Sequence, residues 1–137
     1  SVLGPLAGRV KAVAVMQAVA SLEAVIREHK FKAPCLKAYG LPEETPDDKA
    51  IARIAPHDSL PRIRKIPRGT PLPKTAIYHG ARDANIPAAT NAVPLAEALR
   101  KAGAAVELEV FPDVEHDVYG MGKPIEERLK AFFAKNL

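Results

Sequence analysis

Ile77-Tyr78-His79-Gly80-Ala81-Arg82-Asp83-Ala84-Asn85-Ile86-Pro87 is an apolar run that closes on a glycine and sets an acid three residues beyond it. With Thr75-Ala76 in front, the run as far as Gly80 reads as a strand. A second run, Ala105-Val106-Glu107-Leu108-Glu109-Val110-Phe111, alternates as an edge strand does, and Val114-Glu115-His116-Asp117 follows it. Between the two strands, Asn91 to Ala102 places Val93, Leu95 or Ala96, and Leu99 on one side of an amphipathic helix. Pro94 falls in its first turn, where a missing N–H is tolerated, and Gly103 ends it. Pro124 to Asn136 predicts a closing helix with Ile125, Leu129, Phe132 and Phe133 as its apolar stripe.

Upstream, Val10 to Val19 is Val-rich and nearly continuous in apolar character. It predicts another strand, this one buried on both faces, although its alanines also suit a helix. Ser21 is placed to cap a short helix running to Glu28. Thr45-Pro46-Asp47-Asp48 has a cap, a first-position proline and two dipole-opposing acids, starting a helix that Ala55-Pro56 stops. From Ser59 to Lys74, four prolines and Gly69 predict a connecting loop without regular structure. Strands alternating with helices give an α/β fold of three layers, αβα, around a short parallel sheet, with residues 1–137 as a single domain. In such sheets chemistry collects at the carboxyl ends of the strands, where Asp83 and His116 both fall.

The bulk numbers narrow the field of functions. A chain of 137 residues with 47% hydrophobic and 26% charged content is ordinary for one globular domain. A net charge of +4 is too weak to imply nucleic acid. Arg62, Arg64, Lys65, Arg68 and Lys74 sit in the proline-rich segment with no aromatic to stack bases, so it reads as a solvated loop rather than a phosphate or RNA site. The longest apolar stretch, Ala12 to Ala20, contains Gln17 and is far shorter than the roughly 20 residues of a membrane span, so no membrane partner is expected. One cysteine, Cys35, rules out an internal disulfide and fits a reducing compartment, the cytoplasm. Starting at Ser1 rather than Met, the chain is expected to be processed, trimmed or part of something longer.

Asp83 and His116 have the arrangement of the acid and base of a Ser–His–Asp triad, both carried past parallel strands. Each also has a plainer reading: an Asp after a strand commonly bonds its own turn, and a loop His is commonly just solvated. His79 reads as a packing or hydrogen-bonding residue at its strand's end, and His29 and His57 carry no assignment. The three serines, Ser1, Ser21 and Ser59, are not flanked by glycines as a nucleophile elbow requires, and Cys35 reads as a structural thiol. Asp113, Glu115, His116 and Asp117 lack a second well-placed His, so neither a metal nor another cofactor is expected.

These residues resemble the C-terminal portion of an α/β-hydrolase. The likeness is to prolyl-oligopeptidase and dipeptidyl-peptidase types and to dienelactone-hydrolase-like esterases. It is carried by His79-Gly80-Ala81-Arg82-Asp83-Ala84-Asn85-Ile86-Pro87, Leu95-Ala96-Glu97-Ala98-Leu99-Arg100-Lys101-Ala102-Gly103 and Phe111-Pro112-Asp113-Val114-Glu115-His116, then by the closing helix ending Phe132-Phe133. Tyr39-Gly40-Leu41-Pro42-Glu43-Glu44 and Ala55-Pro56 extend it upstream. Asp117 stands where the family usually has Gly.

The resemblance implies Asp83 as triad acid and His116 as general base of a serine hydrolase cleaving an ester or peptide bond. The nucleophile elbow would precede Val10 by a helix, of which Ser1 to Gly8 are at most the tail. The alternative is a non-catalytic hydrolase relic or interaction module. A short sheet of this kind leaves its first strand unpaired on one side, so pairing through Val10 to Val19 is expected, with a second copy or with an N-terminal half. Substrate identity depends on cap and oxyanion elements that these residues do not include.

Overall fold

The computed structural model describes residues 8–28, 31–117 and 122–137. Residues 1–7, read above as the tail of a helix, and His29 lie outside the described residues. Three parallel strands, β1 (Ala12–Met16), β2 (Lys74–Gly80) and β3 (Val106–Phe111), form one sheet in the order β1-β2-β3. Met16 pairs with Tyr78, and Gly80 with Phe111. Helices α1 (Leu22–Arg27), α2 (Lys32–Ala38), α3 (Asp47–Ile54) and α4 (Ser59–Ile63) connect β1 to β2, with a single 3-10 turn at Ala55–His57. Helix α5 (Ala92–Lys101) joins β2 to β3, and α6 (Gly122–Asn136) closes the chain.

Period-2 alternation along β2 sends its side chains to two cores. Ile77 packs with Leu60, Leu95 and Ala96, beneath α4 and α5. Ala76 and Tyr78 pack with Ile125 and Phe132 of α6, whose predicted stripe of Ile125, Leu129, Phe132 and Phe133 is the face that touches the sheet. Burying a side chain of this size is worth about 1.5–3 kcal/mol. The sheet is thus the middle of three layers, αβα, as the alternation of strands and helices requires. A third cluster, Ile26, Leu36, Ala50 and Ile54, binds α1, α2 and α3 to one another beside the sheet.

Four expectations need correction. β1 ends at Met16 rather than Val19, because Gln17 has φ +48, a left-handed conformation that breaks the strand. β1 is half-buried rather than enclosed, having one strand neighbour among the described residues. Thr45 does not cap α3: its hydroxyl donates to the Pro42 carbonyl at 2.6 Å, and Pro46 occupies the cap position in extended geometry. The segment from Ser59 to Lys74 is not all loop, since Ser59–Ile63 forms α4. Pro61 is the third residue of that helix, where no intrahelical N–H bond is lost. Ser21 caps α1 as expected, accepting from the Ala24 N–H at 3.1 Å.

Candidate active site

The turns after β2 and β3 lie at the same end of the sheet, and their side chains meet. His116 Nδ1 is 2.7 Å from Asp83 Oδ2. The Asp83 side chain is fully buried, whereas that of His116 is 35% exposed, so the pair spans from interior to surface. A carboxylate opposite Nδ1 fixes the proton there and leaves Nε2 as the nitrogen able to take up another.

Asp83 serves its own turn as well. Its Oδ1 accepts from the backbone N–H of Asn85 at 3.0 Å and of Ile86 at 2.7 Å. The turn-residue reading and the acid reading therefore describe two oxygens of one carboxylate. His79, wholly buried, brings Nε2 within 2.6 Å of the Ile86 carbonyl and 3.3 Å of Asp83 Oδ2. A carbonyl only accepts, so the proton sits on Nε2, and Nδ1 is left without a hydrogen-bond partner. This is the packing and hydrogen-bonding role expected of His79.

The backbone of the two turns is in close contact. Arg82 N–H donates to the Val114 carbonyl at 2.9 Å, and Ala81 N–H to that of Phe111 at 2.8 Å. Gly80 makes this approach possible: a Cβ there would lie 2.2 Å from the Val114 oxygen and 2.6 Å from that of Glu115. Gln17, at the end of β1, reaches the same turn, with Nε2 donating to the Glu115 carbonyl at 2.8 Å.

Beside His116 opens a cavity of about 390 Å³, whose walls include Val19, Leu22, Val25, Phe31, Tyr39 and Ile86. The Phe31 ring is tilted against the imidazole, with centroids 6.0 Å apart. Cys35 also faces this cavity, and burial pushes its thiol pKa up, away from thiolate chemistry near neutrality. Sequence reasoning missed Gln17, Phe31, Tyr39 and Ile86 as parts of the site. Only Gln17 gave a signal, as the polar residue interrupting an apolar run. Ser21 caps α1, Ser59 is the first residue of α4, and the His57 ring packs against that of Tyr39. Among the described residues, no three His, Cys, Asp or Glu are grouped to hold a metal ion. No helix among them is long and apolar enough to cross a membrane.

A parallel sheet between helical layers, with these turns at one end, is an architecture the chain shares with solved hydrolases. Pyrococcus horikoshii acylaminoacyl peptidase superposes with a TM-score of 0.68 at 14% identity, over 93% of this chain and 20% of that one. Acetyl xylan esterase from Paenibacillus sp. R4 gives 0.64 at 17%, over 96% and 40%. An acetyl ester-xyloside bifunctional hydrolase from Caldicellulosiruptor lactoaceticus gives 0.54 at 21%, over 88% and 39%. The chain thus spans between a fifth and two fifths of the structures it matches. No curated protein matches it. The profile of the prolyl oligopeptidase family matches residues 11–137, and the chain belongs to that family.

Proposed function

We propose that this chain carries the acid and base of a serine hydrolase, with Asp83 orienting His116 for acyl transfer from an ester or peptide bond. The 2.7 Å contact between His116 Nδ1 and Asp83 Oδ2, with the imidazole open to solvent, is the observation that supports it. His116 would take the proton of a serine hydroxyl as that oxygen attacks the carbonyl carbon, then deliver it to the leaving group. Asp83 would stabilise the imidazolium formed between those steps. The nucleophile and oxyanion hole belong, in this reading, to sequence outside these residues, which would pair with β1. The cavity beside His116 favours an uncharged, apolar acyl group or side chain. No cofactor is needed, and the single cysteine suits the cytoplasm.

The alternative reading is non-catalytic. A hydrolase relic that keeps the scaffold for interactions alone would look the same. Fluorophosphonate labelling of the natural gene product, with its intact mass measured first, separates the two. The serine-hydrolase reading expects labelling and hydrolysis of a short-chain nitrophenyl ester, with kcat lowered roughly 10⁴-fold by Asp83→Asn. An unlabelled, inactive natural product that still binds a partner supports the relic.

A further inference from the structure

Gln17 is the only non-glycine residue with positive φ among the described residues, at +48. Glycine adopts that conformation freely and glutamine does not. The side chain is also 92% buried, its relative exposure being 8%. A residue held in an unfavourable backbone and a buried setting is sustained by what surrounds it, and here three bonds do so. Its backbone N–H donates to the Tyr78 carbonyl of β2 at 3.0 Å. Its Nε2 donates to the Glu115 carbonyl at 2.8 Å, and its Oε1 accepts a longer 3.4 Å bond from the Gly80 N–H. A carbonyl needs a donor and an N–H an acceptor, so only this orientation of the carboxamide satisfies both.

The consequence reaches His116. Of the two carbonyls that precede it, Val114's is held by Arg82 from the turn of the acid, and Glu115's by Gln17 from the end of β1. Gly80 lacks the Cβ that would push both carbonyls away. We propose that Gln17 is a positioning residue, which uses its left-handed backbone to aim a carboxamide that fixes the His116 turn over Gly80 and so sets the imidazole against Asp83. This rests on the reading of Asp83 and His116 as acid and base.

The test is proton NMR of the protein in water, following the His116 Nδ1 proton, which a short bond to a carboxylate moves well downfield of the amides. Gln17→Gly removes the carboxamide but relieves the backbone. It is expected to lose the downfield signal while the protein still unfolds in one cooperative transition, so that the pair is broken in a molecule that remains folded. Gln17→Glu keeps the shape, sets an acceptor against the Glu115 carbonyl, and is expected to lose the signal too. A signal retained in both variants overturns the role of Gln17 and leaves the pair intact. Loss of the signal together with loss of that cooperative transition in Gln17→Gly overturns it as well, by making the residue structural. A parent protein without the downfield proton overturns the pair and Gln17 together.

Discussion

At the scale of single residues, Gly80 is where packing and candidate chemistry meet. It ends β2, pairs with Phe111 and lets two carbonyls of the neighbouring turn pass where a side chain would stand. Those carbonyls are backbone and can move only with the turn that carries them. Gly80→Ala is therefore expected to destabilise the fold by about 3 kcal/mol, the upper end of overpacking costs, measured by denaturant unfolding. It should also displace the His116 turn. The meeting of Asp83 and His116 was legible because an Asp after one strand and a His after the next stand out in a mostly apolar setting. Gln17 was not, because the sequence shows that it interrupts an apolar run but not that its φ is positive or where its carboxamide points.

Among the elements, proline deceives in a consistent way. Pro34, Pro61, Pro94 and Pro124 are each the third residue of a helix, in α2, α4, α5 and α6. The first N–H groups of a helix have no intrahelical acceptor, so a proline there removes nothing. Where a long amphipathic pattern followed, as in α5 and α6, the proline was correctly read as a beginning. In α4, of five residues, too little pattern follows Pro61 to outweigh the reading of proline as a breaker, and α2, of seven, was given no sequence reading. Their helicity comes from packing: Leu36 and Leu60 are buried, and the Leu60 N–H donates to the Ala20 carbonyl at 3.2 Å.

The start of α5 shows how elements are tied together. Asn91 is wholly buried, and its Oδ1 accepts from the Ala20 N–H at 3.0 Å and the Ser21 N–H at 3.1 Å. Its Nδ2 donates to the Pro87 carbonyl and to Thr90 Oγ1. Asn91 was read from sequence only as the first residue of a helix, yet it links the β1–α1 connection to the turn after Asp83. Asn91→Ala leaves two N–H groups without an acceptor in a region water reaches poorly. The expected loss is about 2–4 kcal/mol, read as a lower denaturant midpoint with an unchanged m-value.

For the molecule as a whole, layer order and strand direction followed from alternation alone, because a parallel sheet requires helical crossovers. What the sequence did not show was the half-burial of β1. A groove of about 260 Å³ runs beside it, lined by Val13, Val15, Val19, Leu95 and Leu99. Met16, the last residue of the strand, and Val19 are exposed large apolar side chains. An apolar strand with free backbone groups attracts another strand. We propose that β1 pairs either with a second copy or with the hydrolase segment that carries the nucleophile. Sedimentation at micromolar concentration is expected to show a species heavier than the monomer, and Val13→Lys to weaken it. A stable monomer counts against this.

The two turns of the site hang from strands of unequal security. Asp83 follows β2, which has a strand on each side and six consecutive buried residues, whereas His116 follows β3, half-buried and bordered by one strand among the described residues. Local opening starts where fewest contacts must break. Warming should therefore lift the imidazole from the carboxylate while the centre of the sheet is still intact, making the histidine side a thermal fuse that fails before the scaffold melts.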